Sequence, residues 1–332
     1  MADSILVVEN LKKYFATKKK GVFVKAVDGI SLTVRTGETL GLVGESGSGK
    51  STTAYNIIGM YGATSGKIYF KGQDISGDAD KRPLSLKKDL QMVFQDPGTS
   101  LNPQRTIGQI LALPLRVHRL LKRGERLEDR LVQLLETVEL PADYIYKYPR
   151  AIGGGERQMV AVARALATSP TFVVLDEPTS ALDVSVQAKI INMLIRLQKQ
   201  FSLSYLFITH DLSLMRNLAT RVAIMYLGKI AEIAPTVDFF QSPQHPYTQM
   251  LLSSIPVVSA GEEDMKPSKV ASRGEIPSPV DVPPGCGFHP RCPLAMPVCS
   301  QVDPDTVETS PDHLVRCHLF AQQAATGTAK SA

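Results

Sequence analysis

The chain has 332 residues, 43% hydrophobic and 21% charged, with no tryptophan and a formal net charge of +5. No apolar run reaches the roughly eighteen residues of a membrane-spanning helix, and charged and polar residues interrupt the N-terminus before a signal-peptide core develops. The basic excess is local, at Lys12, Lys13, Lys18, Lys19, Lys20 and Lys25 and again at Lys81, Arg82, Lys87 and Lys88. It reads as solvated loops, and no nucleic-acid partner is expected.

In chain order, Ser4 to Glu9 and Ile30 to Val34 are predicted strands, the second by alternation of Ile30, Leu32 and Val34 with Ser31 and Thr33. A polar Lys/Gly loop separates them. Leu40-Gly41-Leu42-Val43 is a short apolar run of buried-strand type, and Thr52 to Met60 continues as a helix. Leu90 to Phe94 is a further strand, broken by Pro97 and Gly98. From about Ile107 to Thr168 the spacing of Leu131, Leu134, Leu135 and Val138 is helical, which predicts a helical subdomain over about 97–168. Thr171–Asp176 and Tyr205–His210 are apolar without alternation, as for strands covered on both faces, and the helix between them makes a β–α–β unit. Val222 to Ile230 suggests a closing hairpin, so a first domain is expected over 1–240. A segment over 241–285 begins with a short helix and becomes a Pro-rich linker. A small Cys-rich extension follows over 286–320, and then a tail over 321–332 of disordered composition.

Gly44-Glu45-Ser46-Gly47-Ser48-Gly49-Lys50-Ser51 fits the phosphate-loop pattern, between a strand and a helix as the chemistry requires. Glycines let successive N–H groups point at phosphate oxygens, and the helix N-terminus starting near Thr52 adds partial positive charge. Lys50 is expected on the β- and γ-phosphates and the Ser51 hydroxyl on Mg²⁺. Asp176, at the end of its strand, is the second carboxylate for that metal, and Glu177 is placed to polarise an attacking water.

Six elements occur in register: Gly44–Ser51, Gln95, Ile152-Gly153-Gly154-Gly155-Glu156-Arg157-Gln158, Asp176-Glu177, Ser180-Ala181-Leu182-Asp183 and His210. Over residues 1 to about 250 the chain resembles the ATP-binding cassette (ABC) ATPases of transporters. The resemblance implies an α/β fold: a P-loop NTPase core with a parallel sheet, an N-terminal antiparallel β-subdomain and the inserted helical subdomain. It further implies that Gln95 senses Mg²⁺ and the membrane partner, that His210 clamps the γ-phosphate, and that Asp183 aligns a dimer. An aromatic ring stacks on adenine, and register favours Phe15 over Tyr14.

One departure stands out. The family signature is Leu-Ser-Gly-Gly-Gln, and its serine is replaced here by Gly153. The N–H groups of Gly153, Gly154 and Gly155 remain available to phosphate, and glycine could suffice. The sharper expectation is an asymmetric heterodimer, in which this chain's own P-loop works against an intact partner signature. Ser242 to Thr248, with His245-Pro246-Tyr247 inside it, resembles the ATPases of oligopeptide/dipeptide importers, as do Phe94 to Pro97 and Ser100 to Pro103. No chemistry is assigned to His-Pro-Tyr, whose imidazole is expected in a turn. Cys286, Cys292, Cys299 and Cys317, with five, six and seventeen residues between them, are all the cysteines of the chain. They lack the close pair usual for structural zinc. Some members of the importer family hold a 4Fe–4S cluster at similar cysteines, so iron–sulfur is expected first, with Zn²⁺ or unligated thiols as alternatives.

The resulting expectation is an ATPase subunit that powers an importer of di- or oligopeptides from the cytoplasmic face of the membrane. Its partners would be a homologous ATPase, two permease subunits docked near Gln95 to Gln109, and an extracytoplasmic solute-binding protein. An importer for nickel complexes or sugars, and a soluble non-transport ABC ATPase, are the alternatives.

Overall fold

The computed structural model describes residues 4–180, 182–254 and 274–321. Most of the expected Pro-rich linker, most of the expected tail and Ala181 lie outside the described residues. Two sheets organise the rest. Strands β1 (Ser4–Ala16), β2 (Phe23–Arg35), β4 (Ser65–Phe70) and β5 (Gln73–Asp74) form an antiparallel sheet in the order β2-β1-β4-β5. Strands β1 and β2 run well beyond the stretches their alternation suggested. The reason is a bulge: Asn10 sits at φ 44°, register slips between Val8 and Leu11, and the two-residue period breaks there although pairing resumes. Strand β4 begins with the polar stretch Ser65-Gly66-Lys67, which hides it from pattern reading.

The second sheet runs β11-β12-β10-β9-β3-β8-β7-β6. Its parallel half holds β3 (Thr39–Val43), β6 (Leu90–Val93), β7 (Phe172–Asp176), β8 (Ser204–Thr209) and β9 (Arg221–Tyr226). Strands β3, β7, β8 and β9 are buried at every residue, so the apolar runs do not alternate. Within β7 the faces still divide. Phe172 and Val174 pack toward the antiparallel sheet and helix α1 (Lys50–Ile58), whereas Val173 and Leu175 pack toward the helical side.

The helical side contains α3 (Pro97–Ser100), α4 (Ile107–Val117), α5 (Leu127–Thr137) and α6 (Gly154–Leu166), preceded by α2 (Leu84–Asp89) at the sheet edge. Among the described residues no strand falls between 97 and 168. Helix α7 (Val184–Phe201) is the crossover from β7 to β8 and buries Ile190, Ile191, Met193, Leu194 and Leu197. Short α8 (Met215–Leu218) precedes β9, and α9 (Thr236–Gln241) and α10 (Pro246–Ser253) follow β10 (Lys229–Pro235).

The Cys-rich extension joins the main sheet. Its strands β11 (Val307–Ser310) and β12 (His313–Val315) pair antiparallel onto β10, extending the main sheet. The pairing follows from burial: Val315 is fully buried against the sheet, and the exposed edge of β10 is covered.

Candidate nucleotide-binding site

The loop after β3 wraps the N-terminus of α1 because two of its positions admit only glycine. A Cβ on Gly44 would lie 2.2 Å from the Met225 carbonyl oxygen. At Gly49, which has φ 106°, it would lie 2.1 Å from that of Ala26. Lys50 is buried, and its Nζ donates to the carbonyls of Gly44 (2.8 Å) and Glu45 (3.0 Å). Burial pulls its pKa down, opposed by the charges of Glu177, Asp176 and Glu45.

Ser46, Gly47, Gly49, Lys50, Ser51 and Thr52 line a cleft of ≈ 750 Å³ together with Gln95, Glu177 and His210. The Ser51 hydroxyl donates to Asp176 Oδ1 at 3.1 Å. Asp176 is buried, which pushes its pKa up to about 6 against the lowering effect of the Ser51 bond. Its other oxygen, Oδ2, is buried without a hydrogen-bond partner, as is Ser48 Oγ. Glu177, at φ 44° just past the strand end, accepts from Gln95 Nε2 at 3.0 Å, and His210 Nδ1 lies 3.3 Å from the same Oε2. Strands β6, β7 and β8 therefore deliver Gln95, Glu177 and His210 to one carboxylate oxygen. An orphaned Asp176 oxygen beside the Ser51 hydroxyl is a hard-oxygen donor pair that suits Mg²⁺, and Gln95, which lines the same cleft as Ser51, would add its amide oxygen.

At the other end of the cleft stand Phe15, Val24, Ala26 and Pro279. Phe15 packs edge-on against Tyr61 at 5.3 Å. The neighbouring Tyr14 donates its hydroxyl to Asp28, which with burial pushes the phenol up to about 12.

Gly153, Gly154, Gly155 and Asp183 do not line this cleft. Gly153 is the N-cap of α6. Its N–H donates to Glu156 Oε2 at 2.8 Å, and Tyr144 donates to Oε1 at 2.6 Å. Glu156 thus makes its half of a capping box, and the side chain that would make the other half is missing. Gly155 packs on Val186, where a Cβ would come within 2.4 Å. Asp183 caps α7, accepting from Val186 N–H at 3.0 Å.

Glu45, expected to bind nucleotide as part of the phosphate loop, makes side-chain contacts that sequence reasoning missed. Arg291 Nη1 and Nη2 donate to its two oxygens at 2.8 and 3.2 Å, and the Tyr247 hydroxyl donates at 3.1 Å. His245 behaves as the turn residue expected. It caps α10, its Nδ1 accepting from Tyr247 N–H at 3.0 Å.

The four cysteines are free thiols. Burial raises Cys286, takes Cys292 up to about 11 and Cys317 up to about 12, and the neighbouring cysteines add to each rise. Among the described residues no group of three or more His, Cys, Asp or Glu is arranged to hold a metal ion. The expected 4Fe–4S cluster, and zinc as its alternative, find no support in this arrangement. Burial that raises the thiols of Cys286, Cys292 and Cys317 disfavours the thiolate form a metal needs. Cys286 instead joins Cys299 through a backbone hydrogen bond of 2.8 Å.

Comparison with known proteins gives the family. Residues 27–180 match the family model for the ABC transporter, and residues 231–299 match that for the oligopeptide/dipeptide transporter C-terminal region. The oligopeptide transport ATP-binding protein AppF of Bacillus subtilis is 45% identical over 326 residues, covering 96% of this chain and 98% of that protein. The chain belongs to the ATP-binding subunits of ABC transporters. A probable peptide ABC transporter ATP-binding protein, y4tS of Sinorhizobium fredii, is 41% identical over 337 residues, covering 100% of this chain and 94% of that protein. Among solved structures, the dimeric post-hydrolysis state of the ATP-binding cassette MJ0796, bound to ADP and Pi, superposes with a TM-score of 0.63 at 27% identity. It covers 70% of this chain and 98% of MJ0796. An ABC cassette of this kind is an ATPase coupled to transport, and the matched C-terminal region over 231–299 includes Arg291.

Proposed function

We propose that this ABC cassette powers import of di- or oligopeptides as one half of a two-ATPase motor. The carrying observation is the convergence of Gln95 and His210 on Glu177 beside the Ser51–Asp176 pair. The peptide class rests on likeness to peptide transport ATP-binding proteins along almost the whole chain. P-loop N–H groups and Lys50 bind the triphosphate, Lys50 exchanging the carbonyls of Gly44 and Glu45 for phosphate oxygens. Glu177 orients and polarises the attacking water, with Gln95 and His210 holding its carboxylate. Mg²⁺ held by Ser51, Asp176 and Gln95 supplies charge neutralisation on the phosphates. Phe15 stacks on the base.

The signature glycines and Asp183 lie away from this cleft and serve a facing cassette. That facing chain is a homologous ATPase whose own signature keeps its serine. A cleft of ≈ 690 Å³ between core and helical subdomain, lined by Tyr55, Arg82, Phe94, Gln95, Thr99 and Arg164, fits the cytosolic helices of the permease pair. Gln95 lines both clefts, so it links docking to hydrolysis. No helix among the described residues is long and apolar enough to cross a membrane, which fits a peripheral subunit on separate permeases fed by a solute-binding protein. No metal at the cysteines enters this reading.

Co-expression with the permeases and partner ATPase, followed by peptide uptake into proteoliposomes, tests it. Glu177→Gln should keep ATP binding and lower hydrolysis and uptake together by at least about 10²-fold. Hydrolysis that continues with the permeases absent from every purification would sink the transport reading.

A further inference from the structure

The cleft is closed on its nucleoside side by a piece of chain far from the cassette motifs. Pro279 lines it beside Phe15, Val24 and Ala26, held there by a 3.1 Å hydrogen bond from Lys25 N–H on β2 to its carbonyl. Twelve residues further on, Arg291 forks onto both oxygens of Glu45 in the P-loop. The Arg291 side chain is only 6% exposed. Its guanidinium lies 5.7 Å from the Tyr226 ring and 5.9 Å from that of Phe288. Such a fork needs both its planar geometry and its charge, which lysine does not reproduce. The contact reaches the chemistry in one step, because the Glu45 carbonyl is one of the two that hold Lys50 Nζ. Tyr247 reinforces it, its hydroxyl meeting both the Glu45 N–H (3.2 Å) and its carboxylate (3.1 Å). Pro279 and Arg291 both fall in residues 231–299, outside the stretch 27–180 that matches the ABC transporter family model.

We propose that the C-terminal segment around Pro279 and Arg291 is a built part of this chain's own nucleotide site. Pro279 is an apolar wall that contacts the base or ribose of the bound nucleotide. Arg291 is a positioning residue that sets the P-loop, and through it Lys50, by way of Glu45. The proposal rests on the reading of the cleft as an ATP site.

Equilibrium binding of ATP and of inorganic tripolyphosphate to the full-length chain, both with Mg²⁺, separates the two roles, because tripolyphosphate has phosphates but no nucleoside. Pro279→Glu should weaken ATP about tenfold and leave tripolyphosphate unchanged. Arg291→Lys and Glu45→Gln should each weaken both ligands about three- to tenfold, and the double variant should be no worse than either single one, as for residues that act through one contact. Ligand-free thermal midpoints, followed in parallel, show whether each variant is folded. Equal loss of both ligands, or of neither, in Pro279→Glu overturns the wall. Additive effects, or a lowered midpoint with unchanged tripolyphosphate binding, reduce Arg291 to a strut and overturn the positioning role. Failure of the underlying ATP reading looks different: the unaltered chain binds neither ligand, or Lys50→Ala binds both as well as the unaltered chain does.

Discussion

Gly153 shows how much a single missing hydroxyl can be asked to explain. The position is not closed to a side chain: a Cβ there would meet only Glu156 Oε2, at 3.5 Å, and the φ of −67° suits any residue. Serine would complete the capping box with Glu156, a gain of a few tenths of a kcal/mol in α6. Glycine at this position is therefore not demanded by packing, unlike Gly155, which Val186 leaves no room to replace. In the assembled complex, Gly153→Ser should add a charge-assisted hydrogen bond of about 1.5–3 kcal/mol to the facing triphosphate, and so raise steady-state ATPase activity. Phosphate release by the purified complex measures this, and an unchanged rate would remove the case for two unequal sites.

At the scale of an element, α10 is held by a histidine that must stay neutral. His245 is buried, and its backbone N–H donates to Glu232 Oε2 at 2.9 Å while its ring Nδ1 accepts from Tyr247 N–H. Burial pushes its pKa from 6.5 down to about 4, with Glu232 opposing the shift. Glu232 on β10 is the charged group that acts on the ring, and a hydrogen bond with the Arg316 backbone also opposes the shift. Because the folded value is the lower one, the unfolded chain takes up the extra proton first. The stability His245 confers is complete above about pH 6.5 and falls as pH drops toward 4, by at most about 1.4 kcal/mol per pH unit. His245→Asn keeps a capping acceptor and removes the titration. It should flatten the denaturation midpoint between pH 6.5 and 4.5 in urea titrations, relative to the parent chain. Since α10 also carries Tyr247 onto Glu45, acid should loosen the P-loop before it unfolds the core.

For the molecule as a whole, the C-terminal region is bonded to the cassette rather than appended to it. Strand β12 pairs Val315 with Glu232 and Leu314 with Ile233 on β10. At the same place His313 Nε2 lies 2.7 Å from Glu232 Oε1, with the side chains 1% and 0% exposed. The Glu232 carboxylate also accepts the N–H groups of Gln244 and His245, so one buried acid ties β10, β12 and the entry to α10. His313→Ala should cost about 2–4 kcal/mol, because it strips a partner from a buried carboxylate. A single cooperative urea transition at lower midpoint is the expected form. Two separated transitions would mean that the C-terminal strands are an independent unit.

Everything that depends on a run of neighbouring residues was legible in the chain itself. Gly44–Ser51, Asp176-Glu177 and the strand–loop–helix frame are local, because glycine torsions and strand ends dictate where backbone N–H groups and carboxylates point. The apolar runs of β7 and β8 likewise announced a sheet covered on both faces. The bulge at Asn10 and the polar start of β4 escaped because periodicity fails there while hydrogen bonding continues. What no local pattern carries is a contact between distant residues that lack a shared period. Arg291 and Glu45 are 246 positions apart, and neither residue type signals the other. The same holds for β12 on the edge of β10 and for the cysteines, whose clustering suggested a metal while burial raises the thiols of Cys286, Cys292 and Cys317. Those outcomes are set by how the chain buries apolar surface at long range, and only the folded arrangement carries that information.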